Sequence, residues 1–249
     1  MSLDYGALCS DYYVNQRVVL RMDLPGDRGT LLGLFDRVKK EWPAMASLRR
    51  FRGEVALESD EEVDPYIWFA LRRTSIRSGI VNPESPQAAM AFHASLLKVA
   101  PYYLTISPLD VAMMEVVFGF DIETDRDRNE VVFDALLGES SLAGIIDRER
   151  DRLGACQPAL VLTLGGKGDL QAIIRVQTRV KPGEAKSGEF EMAPITVTCA
   201  VRRRGSIDAV DDLPRHFERL VRRGAELVTD RLIPRVLQPI RDAILSRPE

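Results

Sequence analysis

Histidine is almost missing from this chain, which has two in 249 residues, and cysteine is scarce, with three. Cys9, Cys156 and Cys199 are odd in number, widely spaced and outside any CxxC pattern. That excludes a disulfide framework or a cysteine-built zinc site and reads as buried, reduced thiols. His93 and His216 belong to no HxH, HExxH or His-plus-Cys grouping, so neither a metal nor a cofactor is expected. There is no GxSxG elbow, and no catalytic residue is assigned. Gly165-Gly166-Lys167-Gly168 lacks the GxxxxGK[ST] spacing of a phosphate loop and reads as a hairpin turn.

Long apolar runs are also lacking. No stretch approaches the roughly 18 residues of a membrane span, and Met1 to Asp11 has neither a basic start nor an apolar run of the secretory kind. A cytoplasmic location without membrane attachment is the expectation. The net charge of −3 provides no basic footprint for duplex DNA. Glu58, Asp60, Glu61, Glu62 and Asp64 lack the spacing of a calcium loop and read as a solvated acidic loop.

What is present is an internal match. Val18 to Asp36, moved 98 positions, falls without a gap on Val116 to Asp134. Val18, Val19, Asp23, Asp27, Arg28, Phe35 and Asp36 meet Val116, Val117, Asp121, Asp125, Arg126, Phe133 and Asp134, seven identities in nineteen pairs. Alternating apolar residues followed by helical spacing describe a strand and then a helix, with Asp27 and Asp125 at the helix starts. A second match, offset by 130, pairs Ala70-Leu71-Arg72-Arg73 with Ala200-Val201-Arg202-Arg203.

The expected fold is α+β: internally duplicated β-α-β-β(-β)-α units forming one largely antiparallel sheet, helices on one face, with pseudo-twofold symmetry. Residues 1–14 are an N-terminal segment, 15–108 the first unit, and 109–249 the second, with an insertion around 139–157 and a long C-terminal helix. The two units pack as one body. Strands are expected at Arg17–Asp23, Leu48–Leu57, Tyr66–Val81, Met114–Ile122, Ala159–Leu164, Leu170–Val180 and Ile195–Arg204. Helices are expected at Thr30–Trp42, from Pro86, at Arg126–Leu137 and from Asp208, the last segmented at Pro234 and Pro239. Lys181 to Glu189 reads as an exposed loop.

With helices on one face, alternation sends the remaining strand residues to the other. That face would show Arg17 and Arg21, then Arg50, Arg52 and Glu54, then Trp68 and Arg72. From the second half come Gln171, Arg175, Gln177 and Arg179, then Thr196, Thr198 and Arg202. Arg21, Arg50, Arg52, Trp68, Arg72 and Arg202 are the candidate ligand-binding residues, because guanidinium forks recognise anions and Trp68 offers a stacking surface.

The strand, helix, strands, helix order resembles the saddle of TATA-binding-like folds. Ended at Met114–Ile122 instead, it is similar to ferredoxin-like and ACT domains, with Leu24-Pro25-Gly26-Asp27 and Thr30-Leu31-Leu32 in the loop position. Fold resemblance of this kind carries no function. The leading expectation is a non-enzymatic binding or adaptor protein for an anionic small molecule or an acidic protein segment. The alternative is a small-molecule sensor or enzyme sited where the repeats join, drawing on Asp23, Asp121 and His93. A homo-oligomer would expose apolar surface near Tyr66, Trp68 or the C-terminal helix. Arg21 opposite Gly119, where the copies differ, and the extra segment after Gly138 are the first places to look for function.

Overall fold

The computed structural model describes Tyr5, residues 8–165 and residues 168–246. Its elements in the first half are β1 (Asp11–Leu20), α1 (Arg28–Glu41), β2 (Ser47–Phe51), β3 (Glu54–Glu58), β4 (Tyr66–Arg72), β5 (Ser75–Val81) and α2 (Pro86–Tyr103). Then follow β6 (Val111–Thr124), α3 (Arg128–Leu136), β7 (Ala159–Leu164), β8 (Leu170–Gln177), α4 (Pro182–Ser187) and β9 (Ala193–Arg204). The chain closes with α5 (Leu213–Leu227), a π-helical stretch (Val228–Leu237) and α6 (Gln238–Leu245). The protein is α+β, and its nine strands form one antiparallel sheet in the order β2-β3-β4-β5-β1-β6-β9-β8-β7.

Alternation decides the faces. Val14, Val18, Leu20, Val116, Phe118 and Phe120 are all buried on one side of the central β1–β6 pair. Helices pack on that side: Phe35 of α1 stacks edge-on against Phe69, and a Cβ at Gly224 of α5 would run into Phe118. Burial of such side chains contributes about 1.5–3 kcal/mol each before chain entropy is charged.

Local signals set the helix starts. Asp27 accepts from Thr30 N at 2.9 Å and caps α1, as its position predicts. The corresponding cap of α3 is Asp127, not Asp125; it accepts from Asn129 N at 2.9 Å because β6 runs on to Thr124 and delays the helix. The strand β1 starts at Asp11, ahead of the expected Arg17 and of the residue-15 boundary. Ala70–Arg73 and Ala200–Arg203 do not hold equivalent places either. The former closes β4, two strands from β1, whereas the latter ends β9, directly beside β6.

Lys181–Glu189 is not simply a loop. It contains α4, because Glu184 turns inward to an ion pair with Arg128 at 2.7 Å, and Arg128 also donates to the carbonyls of Thr178 and Glu191. Pro234 falls within the π-helical stretch, where the wider turn tolerates its missing N–H, and Pro239 lies in the first turn of α6. The expected hairpin turn places Gly165 at positive φ; Gly166 and Lys167 lie outside the described residues. No helix among the described residues is long and apolar enough to cross a membrane.

Candidate functional site

The sheet face away from the helices carries the chemistry. Each strand contributes alternate residues to it: Tyr13, Asn15 and Arg17 from β1, Trp68 and Arg72 from β4, Gly119 and Asp121 from β6, Thr196, Thr198 and Arg202 from β9. Arginines gather at one end and carboxylates at the other.

At the arginine end most groups are engaged. Arg72 and Arg77 both pair with Glu54, Arg77 at 2.9 Å, and the Arg77 guanidinium lies 5.5 Å from the centre of the Trp68 ring. Arg202 donates to Gln171 at 2.9 and 3.1 Å and lies opposite Glu115. Arg21 donates to the Leu109 and Val111 carbonyls at 2.6 and 2.7 Å, so it ties the β1 end to the start of β6. Trp68, Arg72 and Arg202 therefore occupy the expected face, with Arg21 beyond the strand as a structural tie.

Arg50 does not occupy that face. β2 and β3 are two strands joined by a two-residue turn, and Phe51 pairs with Glu54 across it, so side-chain parity reverses between Arg50 and Glu54. Arg50 opposes Val55 and points under the sheet, into a groove of about 480 Å³ lined by Arg28, Leu31, Leu32, Phe35, Leu48 and Val55. Arg52 sits exposed in the turn itself, beside Gly53 at φ 78°. Arg49 takes the open face instead and pairs with Glu58 at 3.0 Å and Glu61 at 3.1 Å.

The carboxylate end contains an open pocket of about 480 Å³ between β1, β4, β5, β6 and the loop after β3. Tyr13, Tyr66 and Trp68 wall it, and Asp11, Glu61, Asp64 and Asp121 rim it. Two glycines make room. The Trp68 ring and Asn15 Oδ1 occupy the space of a Cβ at Gly79, and the Tyr13 ring occupies that of Gly119. Asn82, in the left-handed region at φ 49°, fastens the rim: its Nδ2 donates to Asp11 at 2.9 Å and Asp64 at 3.4 Å, while its Oδ1 accepts from Tyr12 N at 3.0 Å.

Carboxylates outnumber cations around the pocket, where Arg49 pairs with Glu61 and Arg179 lies near Asp121. Asp121 faces Asp11 across the strands. Burial raises the Asp121 carboxyl above its ordinary range, Asp11 adds to this, and Thr196 and Arg179 offset part of it. Tyr13 is pushed up to about 12 by burial and then by Asp121, and Tyr66 to about 12 by burial, Glu58 and Glu61. Oδ1 of Asn15 is buried and makes no hydrogen bond among the described residues, and Oδ1 of Asp121 is buried next to its cross-strand neighbour Thr196, whose hydroxyl favours the ionised carboxyl. Such acceptors favour a donor, and the surrounding potential favours a positive one. No three His, Cys, Asp or Glu side chains among the described residues converge as a metal-ligand set, so an organic cation fits better than a metal ion.

Asp23 and Asp121 are not brought together. Asp23 is exposed and pairs with Arg73 at 2.9 Å. His93 lies on the opposite side of the sheet and is fully buried. Its Nε2 donates to Val14 O at 3.1 Å and its Nδ1 accepts from the Ser78 hydroxyl at 2.8 Å; burial lowers it to about 3, so it stays neutral. With the single Ser78 proton given to His93, the Gln16 amide meets Ser78 Oγ at 2.8 Å as donor. His216 is half-buried, and its shift is also downward, through burial and then Arg203 and Arg219. The three cysteines are free and buried, and burial raises Cys9 to about 12 and Cys199 to about 11, which leaves them as unreactive thiols.

No family model and no curated protein matches the chain. Among solved structures, it aligns with the di-domain ARO/CYC BexL from the BE-7585A biosynthetic pathway over 95% of this chain and 99% of that chain. Identity is 10% and the TM-score 0.19, so no reading of function rests on that likeness.

Proposed function

We propose that this chain is a non-catalytic binding protein whose open sheet face receives a positively charged group in the pocket on the β1–β6 seam. The observation that carries the reading is the convergence of Asp11, Glu61, Asp64 and Asp121 on a pocket walled by Tyr13, Tyr66 and Trp68. A cation entering there relieves the cost of holding carboxylates close together in a partly buried site. The sign is opposite to that expected from the arginines, because Arg72, Arg77 and Arg202 already have protein partners.

The two halves are read as diverged copies about a pseudo-twofold axis, supported by the β1–β6 register: Arg17 lies opposite Glu115, the position 98 residues on. The pocket then breaks that symmetry, since Gly119 replaces the position of Arg21 in the first copy.

Calorimetric titration of the full chain with tetralysine, tetraarginine and tetraglutamate peptides tests the sign. The cationic peptides bind, and Asp121→Asn weakens them at least tenfold. Binding of tetraglutamate alone would overturn the reading. That outcome would favour a second one, in which an amphipathic anion lies in the groove of Leu31, Leu32, Phe35 and Leu48 with Arg28 and Arg50 at its head. Arg50→Glu then abolishes binding.

A further inference from the structure

The pocket offers more than negative charge, and its details discriminate between cations. Its acceptors are dispersed: Asp11 and Asp64 at the rim, held by Asn82, and Asp121 across the seam. An ammonium group has three donors around one point, whereas a guanidinium spreads five over a rigid plane. Its weaker hydration also lowers the cost of entering a pocket walled by Tyr13, Tyr66 and Trp68, and its plane stacks on aromatic rings.

The protein contains the same pairing within itself. Arg77 places its guanidinium 5.5 Å from the centre of the Trp68 ring and its Nη1 2.9 Å from Glu54. One guanidinium is thus already matched to this indole and a carboxylate beside it, and Arg77 is not among the residues that line the pocket.

Resting on the reading of the pocket as a cation site, we infer that its ligand is a guanidinium group, the arginine side chain of a partner segment, in preference to an ammonium. Tyr13 and Trp68 hold the plane, and Asp11 and Asp121 take its donors. The flat open face around the pocket suits a side chain presented by a larger partner.

Titrating the full chain with N-acetyl-arginine amide, N-acetyl-lysine amide and tetramethylammonium, with tryptophan fluorescence as a second readout, separates the possibilities. The arginine amide binds at least tenfold more tightly than the lysine amide. Trp68→Leu erases that preference while Trp68→Phe keeps it, and circular dichroism and melting establish that both variants fold. Equal or tighter binding of lysine amide or tetramethylammonium would overturn the guanidinium assignment and leave the cation site standing. Failure of all three probes, together with failure of the tetraarginine and tetralysine peptides, would remove both.

Discussion

The ring of Tyr13 lies across Gly119, in the space that a β-carbon on that glycine would take. Glycine there is a condition for the pocket wall, because the neighbouring strand must have no side chain for the ring to settle. Gly119→Ala therefore displaces Tyr13, with an overpacking cost of about 1–3 kcal/mol and at least a tenfold loss of cation binding. Gly26→Ala, with nothing within 4 Å of the new carbon, leaves both unchanged. Thermal melting and titration of the two variants check this.

Asp121 should trade stability for binding. Its carboxyl is raised in the folded state, so ionisation above that value penalises the fold, and the penalty is absent below the unfolded value of 3.8, where both states are protonated. Asp121→Asn is therefore more stable than the parent at pH 7. The gain disappears as pH falls to the unfolded value, and the tenfold or greater loss of cation binding seen at pH 7 disappears with it, because the parent carboxyl is then neutral as well. Denaturant unfolding at pH 7 and pH 3.5 measures the difference.

His93 makes stability fall with acid. The folded value near 3 lies below the ordinary histidine value of 6.5, so its contribution is complete above 6.5 and drains away as pH drops toward 3. Across that window each pH unit removes about 1.4 kcal/mol through this group. His93→Leu flattens that part of the pH–stability curve by one proton, at the cost of the bond to Ser78. An unchanged slope would show that His93 is not the titrating group.

Arg128 and Glu184 carry the α4 segment. Removing one partner strands the other, so Arg128→Met should destabilise by about 3–5 kcal/mol and expose residues 182–187 to proteolysis. Glu184 is held down to about 2 by the Lys181 N–H and then by Arg128, so its stabilisation is present above 4.5 and lost as pH falls toward 2. Limited proteolysis and urea unfolding, parent against variant, give the comparison.

Much of the sheet was readable from alternation alone. Val18, Leu20, Val116 and Phe118 marked the buried side, and Trp68, Arg72 and Arg202 the open one, because a period of two leaves little freedom once the helices take one face. Arg50 was misplaced by reading Leu48–Leu57 as one strand. The signal for the turn was Arg52-Gly53, where Gly53 adopts positive φ. The pocket was missed for another reason: Asp11, Tyr13 and Asn15 fell in a segment assigned no strand. Gln16 interrupts the apolar alternation there, and its burial makes sense only with Ser78 and His93, which are distant in sequence and meet it through the fold. Carboxylates that converge from β1, β6 and the loop after β3 have no common spacing to detect.

The position of β1 has a kinetic meaning as well. Strands β2 to β5 follow one another as a meander of neighbouring hairpins, but β1 enters between β5 and β6, and its partner positions on β6 lie roughly a hundred residues away. Local hairpins close short loops, whereas pairing β1 with β6 closes one of roughly a hundred residues. The pocket draws on β1, β4 and β6, so it exists only where that pairing is made, and its ligand can recognise only the completed sheet. Ligand at a hundred times its dissociation constant would then add about 2.7 kcal/mol to global stability, and would do so by slowing the departure of one strand.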